Sequence, residues 1–512
     1  MNPYPRERLC FAKDIPWATT GPMTELFPSY IHGLCLILGV FSWHRLYLLW
    51  LGRHLSQQAT PVWEGELPPI LVQVPLYNEP SCCERVVRAV GALDYPSHLL
   101  SIQILDDSTD ETSQLVKRQV AFLQAQGLDI CHVRRSDRKG FKAGALAHGL
   151  TSSAAPFVAV FDADFVPKPD FLRRLLPHFD GPGVGMVQAR WGHLNGEESW
   201  LTRAQATLLN AHFSVEHRVR NGLKWFFNFN GTAGMWRREA IDAAGGWSAD
   251  TVTEDLDLSL RASKIGWTFR YVHDVVVPAS LPVTLAAWRT QQHRWVCGGI
   301  QTARKHCRPK NADWRWLLSY DDKPAILLQN FAYFPLALLV TSLPFYPFVA
   351  DANGFSWERF LWGGALFCGV FLPMALFFWR GLPGSLSWQK KTWHVLLALS
   401  LSGALVFNNC AGALSGLMGP TSVPFRRTPK GREEERQISI QKWQCGIELF
   451  FAVAYLVSLS QCVVQGVWGL LPFLLLLAFG FCYFSWHNLW TLGFFRAMPA
   501  GAVSKSRVPT HH

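Results

Sequence analysis

Ser101-Ile102-Gln103-Ile104-Leu105-Asp106-Asp107-Ser108-Thr109-Asp110 is the stretch that decides the fold: a short apolar run that ends in a block of acids. Phe157-Val158-Ala159-Val160-Phe161-Asp162-Ala163-Asp164 repeats the pattern further along. Apolar runs this short, bounded by turn residues, read as buried strands. Working outward, Ile70–Pro75, Ile130–Val133 and Gly185–Arg190 read as further strands, with Cys83–Ala92, Thr112–Gln126, Phe141–Leu150 and Pro169–Phe179 as helices between them. Strand and helix alternating at this spacing predict an α/β domain with a doubly wound, mostly parallel sheet. Such sheets take ligands at the carboxyl ends of their strands, where both acid blocks fall.

The rest of the chain has another character. Of 512 residues, 49% are hydrophobic and 13% aromatic, too apolar for a wholly soluble protein. The long apolar runs are Tyr30–Leu51, Ala325–Ala350, Phe360–Trp379, Trp393–Met418, Gly446–Val467 and Leu470–Leu492. The expected organisation is an N-terminal segment 1–29, a transmembrane helix 30–51, the sheet domain 68–307, transmembrane helices 325–350, 360–379, 446–467 and 470–492, and a loop 420–440. Because Asn408, Asn409 and several Gly and Ser residues weaken 393–418 as a lipid-facing span, it is expected to lie in the interface or re-enter. That count of five spans keeps the basic cluster Arg426, Arg427, Lys430 and Arg432 on the cytoplasmic side with the sheet domain, though it leaves Arg6, Arg8 and Lys13 outside. The mostly polar residues before the first apolar run are not expected to act as a secretory signal.

The net charge of +11 suits a lipid surface or a phosphate-bearing substrate. No continuous basic stripe with interleaved aromatics argues for nucleic acid as a partner. Twelve cysteines without a C-x-x-C pair indicate neither a zinc site nor a disulfide framework.

Alternate carboxylates at strand ends, such as Asp162 and Asp164, can share a divalent cation with phosphate oxygens. Thr253-Glu254-Asp255 precedes an amphipathic stretch, and its acids serve equally as a helix N-terminus or as a base for a hydroxyl nucleophile. In Gln291-Gln292-His293-Arg294-Trp295, Arg294 can neutralise a leaving diphosphate and Trp295 offers a flat apolar face to a sugar. Taken alone, that segment reads equally well as an interfacial helix anchored by Trp and Arg.

The ordered succession Pro75-x-Tyr77-Asn78-Glu79, Asp106-Asp107, Asp162-x-Asp164, Thr253-Glu254-Asp255 and Gln291-x-x-Arg294-Trp295 resembles the processive family 2 glycosyltransferases, which include cellulose and hyaluronan synthases. Within them it looks most like the plant cellulose synthase-like A and C type, through Phe229-Asn230-Gly231-Thr232-Ala233-Gly234 and the other motifs between Val72 and Cys297. The resemblance implies a GT-A-type catalytic domain joined to an α-helical transmembrane bundle. It implies an inverting hexosyltransferase that uses UDP-glucose or GDP-mannose, with Mg²⁺ or Mn²⁺, to extend a β-linked polysaccharide across the bilayer. Tyr77, Glu79 and Asp107 would hold the nucleoside, Lys142 and Arg294 the diphosphate, and Asp162 and Asp164 the cation and donor. Asp255, beside Glu254, would be the base, and Gln291 and Trp295 would meet the acceptor. Phe425, Thr428 and Lys430 resemble a gating loop, with Arg427 departing from its pattern. A bacterial inner membrane is expected ahead of a Golgi membrane. The rival readings are a transferase that adds one sugar to a membrane lipid, and a transporter without catalysis.

Overall fold

Strands β1 (Ile70–Leu76), β2 (Leu100–Asp106), β3 (Ile130–Val133) and β4 (Phe157–Val160) form where the apolar runs place them. Both faces of β1, β2 and β4 are buried, while β3 at the sheet edge leaves Cys131 exposed. Phe157, Ala159 and Phe161 enter one core while Val158 and Val160 enter the other, as the two-residue period of a strand requires. Strands β5 (Val184–His193), β6 (Gly234–Arg237) and β7 (Thr268–Ala279) complete a seven-stranded sheet of order β3-β2-β1-β4-β6-β5-β7. All neighbours are parallel except β6, which runs antiparallel to both β4 and β5. The computed structural model describes residues 23–55, 61–308, 313–319, 321–349, 357–420 and 442–492.

Helix α1 (Met23–Gly52) precedes the sheet domain. Helices α2 (Cys83–Gly91), α3 (Thr112–Ala125), α4 (Phe141–Leu150), α5 (Trp200–Ala211) and α6 (Glu254–Lys264) lie within that domain, and α7 (Leu285–Cys307) leaves it. The expected helix Pro169–Phe179 is shorter, Phe171–Leu175 followed by a 3₁₀ turn over Leu176–His178, because Pro177 supplies no N–H to continue it. Buried amides seat α4 on the sheet: Gln73 Nε2 donates to the Leu146 carbonyl at 3.3 Å, and Gln103 Nε2 to that of Gly149 at 2.9 Å.

Beyond it stand α8 (Trp357–Gly381), α9 (Trp388–Ala404), α10 (Val406–Met418), α11 (Lys442–Gln465) and α12 (Leu471–Thr491). Among the described residues four helices are long and apolar enough to cross a membrane, at Leu26–Gly52, Lys323–Val349, Trp443–Gln465 and Trp468–Thr491, which makes the chain a membrane protein. The count rises to six if two bent pairs each form one span. The run expected as a transmembrane helix at Phe360–Trp379 bends by 41° between Leu366 and Cys368. Helices α9 and α10 meet at 53° across Leu405, within the run expected to re-enter.

Helix α10 lies directly on α7. A Cβ on Gly412 would stand 2.9 Å from the His293 carbonyl oxygen, and one on Gly416 2.5 Å from that of Cys297. Small residues four apart are what let two helix backbones approach this closely. The contact falls on the turns of α7 that carry Arg294 and Trp295, so the packing of the apolar half sets the position of a cavity-lining segment.

Candidate active site

The carboxyl ends of β1, β2 and β4 open onto a cavity closed on its far side by α7. Tyr77, Glu79, Asp107, Lys142, Asp162, Asp164, Glu254, Asp255, Gln291, Arg294 and Trp295 all line it. Every expected site residue within the described part of the chain is thus at one place; Phe425, Thr428 and Lys430 lie outside the described residues.

Lys142 is the centre of charge. Its Nζ donates to Asp162 Oδ1 at 2.6 Å and to the Gly231 carbonyl at 2.9 Å, and stands 3.6 Å from Glu254 Oε1. Burial alone would lower its pKa, but Asp162, Glu254 and Asp255 together outweigh that and hold the ammonium above its usual range. The left-handed turn at Gly231 (φ +82°) is needed here, since a Cβ would come within 3.0 Å of Asp255 Oδ2 and 3.3 Å of Lys142 Nζ. Asn78, Phe141 and Ala233 also hold positive φ around the cavity, strain of the kind that clusters at functional sites.

Asp255 stands in the first turn of α6, where its Oδ1 accepts from the Leu256 amide at 2.8 Å. Burial, and then the like charge of Glu254, push its carboxyl up to about 7, against the opposing pull of Lys142. A carboxylate tuned to neutrality can accept a proton and release it again, as a general base must. Arg294 is shifted down by burial, against the attraction of Glu254, Asp162, Asp255 and Glu79, so it is a cation facing four acids. The Trp295 ring lies 6.5 Å from that of Trp191, which in turn packs on Phe165 and Phe213.

The β2 acids are engaged differently. Asp106 Oδ2 meets His132 Nε2 at 2.8 Å and its Oδ1 accepts the Ser108 amide at 2.8 Å. Burial would raise this carboxyl, but the bonds from His132 and Ser108 win and lower it. Asp107 accepts a fork from Arg135, with Nε at 2.9 Å on Oδ1 and Nη2 on Oδ2. Nearby, the Arg138 guanidinium covers the Tyr77 ring at 3.2 Å from its centroid. Sequence reasoning gave no role to Arg135, Arg138, Asn230, Gly231 or Trp191. For Asn230 and Gly231 the signal lay within a motif already noted, and Trp191 continues the β5 run.

Among the described residues no group of three or more His, Cys, Asp or Glu is placed to hold a metal ion. Asp162 and Asp164 offer two carboxylates at the cavity, and Asp162 already carries Lys142. That is an incomplete set for a resident ion. It suits a hard cation that arrives with phosphate oxygens of its own.

Residues 68–298 match the family described as Glycosyltransferase like family 2. A glucomannan 4-beta-mannosyltransferase 2 of Arabidopsis thaliana is 46% identical over 246 residues, covering 47% of this chain and 46% of that protein. A probable glucomannan 4-beta-mannosyltransferase 6 of Oryza sativa subsp. japonica is 39% identical over 296 residues, covering 55% and 52%. This chain spans about half the length of the curated relatives it matches. Among solved structures, a mannosyltransferase of Pyrobaculum calidifontis in complex with GDP-Man and Mn²⁺ matches with a TM-score of 0.49 at 20% identity, covering 77% of this chain and 98% of that one. That likeness is too loose to carry an argument. The segment that matches glycosyltransferase-like family 2 runs from just before β1 into α7 and takes in the whole cavity-bearing sheet.

Proposed function

We propose that this protein is an inverting membrane hexosyltransferase that polymerises a β-linked polysaccharide from a nucleotide-diphosphate sugar, UDP-glucose or GDP-mannose. The observation that carries the reading is the convergence of Asp255, Lys142, Asp162 and Arg294 on one cavity at the strand ends. Similarity to glucomannan 4-beta-mannosyltransferases supports the polymer class and leans the donor toward GDP-mannose.

The chemistry is a single in-line displacement. Asp255 takes the proton of the acceptor hydroxyl while that oxygen attacks the anomeric carbon, and the bond from that carbon to the diphosphate breaks on the opposite side. An α-linked donor then yields a β-glycosidic bond. Lys142 and Arg294 meet the negative charge that builds on the departing diphosphate. Asp162 and Asp164 would hold a divalent cation, which when bound offsets further phosphate charge. Tyr77, Glu79 and Asp107 hold the nucleoside, while Gln291 and Trp295 face the acceptor, whose sugar faces stack on apolar rings.

The catalytic domain faces the cytoplasm, with five spans and the segment Trp393–Met418 lying in the interface or re-entering. The relatives are plant proteins and lend no support to a bacterial inner membrane. Radiolabel incorporation from UDP-glucose and GDP-mannose by purified membranes, followed by linkage-specific glycanase digestion, tests the reading. Long β-linked product supports it. A single labelled glycolipid overturns it in favour of a lipid acceptor, and no transfer from either donor overturns it altogether.

A further inference from the structure

Away from the cavity, a cluster of charged and amide side chains is buried where α7 meets the apolar helices. Arg289 of α7, Glu448 of α11 and Asn488 of α12 are 4%, 5% and 1% exposed. Arg289 Nη2 donates to Glu448 Oε1, and its Nη1 to Asn488 Oδ1 at 3.3 Å. Asn488 Nδ2 closes the triangle on Glu448 Oε2 at 2.5 Å. The guanidinium lies 5.4 Å from the Phe484 ring centroid, and Asn408 Nδ2 of α10 donates to the Arg289 carbonyl at 3.0 Å. Four helices therefore meet on one residue.

Stability is a poor reason for such a cluster. Two charges lose their hydration, and apolar residues of the same volume would hold these helices together as well or better. Ionised groups in helices of this apolar character mark function by default. The position of Arg289 suggests which function. Gln291 and Trp295 are four residues apart and share a face of α7 toward the cavity, whereas Arg289 precedes Gln291 by two residues, about 200° around the helix. The cluster grips the back of the helix whose front faces the acceptor. At the other end of α7, Lys305 and His306 contact Asp257 Oδ1 at 2.8 and 3.0 Å, two residues beyond Asp255 on α6.

We propose that Glu448, braced by Asn488, is a positioning residue: by holding Arg289 it fixes the rotation of α7 and so aims Gln291 and Trp295 at the acceptor sugar. This rests on the proposed transferase reading. In the ground state the donor is held from the sheet side, by Tyr77, Glu79, Asp107, Lys142, Asp162 and Asp164, while Arg294 of the same helix meets the charge that builds on the departing diphosphate. Loss of the grip therefore acts on acceptor binding and on turnover and leaves donor binding in place.

The test replaces the whole ion pair, Arg289→Met with Glu448→Leu, in the full-length protein in detergent or nanodiscs, with GDP-mannose or UDP-glucose as donor and β-1,4-mannohexaose as added acceptor. The expected result is an unchanged or raised melting temperature, an unchanged donor KM, and an acceptor KM raised about 10- to 100-fold, the scale of loss for a misplaced substrate group. An acceptor KM like that of the wild type overturns the proposal. So does a donor KM that rises in step with it, which is the mark of a merely structural role. If the double variant does not fold, Asn488→Ala leaves the ion pair paired and is read by the same split, with a smaller shift. Failure of the wild type to transfer from either donor strikes the transferase reading instead, whereas transfer by the wild type with an unmoved acceptor KM in both variants strikes only the positioning role.

Discussion

Two blocks of acid close the two strands that flank β1, and as sequence they are interchangeable: Asp106-Asp107 at the end of β2, Asp162-Ala163-Asp164 after β4. As structure they differ. Asp106 is 1% exposed and held by His132 and the Ser108 amide, partners fixed in the strand and loop beside it, while Asp107, though forked by Arg135, lines the cavity, so within the β2 block it is Asp106 that is closed off. The β4 acids meet the cavity with Lys142 as a cation shared among Asp162, Glu254 and Asp255. A carboxylate whose partners are fixed supports the fold, and one whose countercharge is shared can exchange that partner for a ligand. The difference lies in where the cations come from, which a strand-end motif does not encode.

The largest effect that sharpens this contrast is at Asp255. Asp255→Asn keeps the shape and removes the proton acceptor, so transfer should fall by about 10²–10⁴-fold with nucleotide affinity intact, read by radiolabel incorporation beside calorimetric nucleotide binding. Lost binding in that variant would move Asp255 to the donor end of the cavity. Next comes Asp164→Ala, which should weaken donor affinity about 10- to 100-fold, the loss of one charged contact, in a manner that tracks added Mg²⁺ or Mn²⁺. Full activity in a metal chelator would dispose of the cation altogether.

A smaller effect tests the shared countercharge through pH. Transfer requires ionised Asp255, whose carboxyl stands at about 7, so kcat/KM should rise with pH, about tenfold per unit well below 7, and level off above it. Because Glu254 is the second cause of that raised value, Glu254→Gln should move the inflection toward lower pH. An inflection that stays put in Glu254→Gln, or a flat profile, shows that another group sets the rate.

Much of this was legible from residues alone. Short apolar runs gave strands β1 to β4 to within a residue or two, and in β1, β2 and β4 burial on both faces leaves a largely apolar signal that turn residues punctuate. β6 was not legible: four residues beginning with Gly234 carry too little pattern, and their antiparallel pairing is a tertiary outcome. The cavity acids could be named because acids following a buried strand have few places to go. Their partners could not. Arg134, Arg135, Arg138 and Lys139 lie in one basic loop, and only its three-dimensional path selects Arg135 for Asp107 and Arg138 for the Tyr77 ring. The apolar runs announced the helices, but the 53° bend at Leu405 and the fit of Gly412 and Gly416 against α7 depend on packing between distant segments.

The smallest effect on activity, and the one that most directly probes the fixed side of the contrast, is Asp106→Asn. If Asp106 serves the fold, the amide keeps its shape, loses a charge-assisted bond to His132, and should cost about 1–3 kcal/mol of stability while nucleotide affinity stays where it was. The sign of the pH dependence follows from its lowered pKa. Such a group stabilises the fold fully above the ordinary carboxylate range, and that contribution disappears as pH falls through the lowered folded-state value. Melting temperatures of wild type and Asp106→Asn should therefore differ at neutral pH and converge in acid. A variant that melts like the wild type at neutral pH but binds nucleotide poorly would place Asp106 with the donor-facing acids, and the division between the two strand ends would fail.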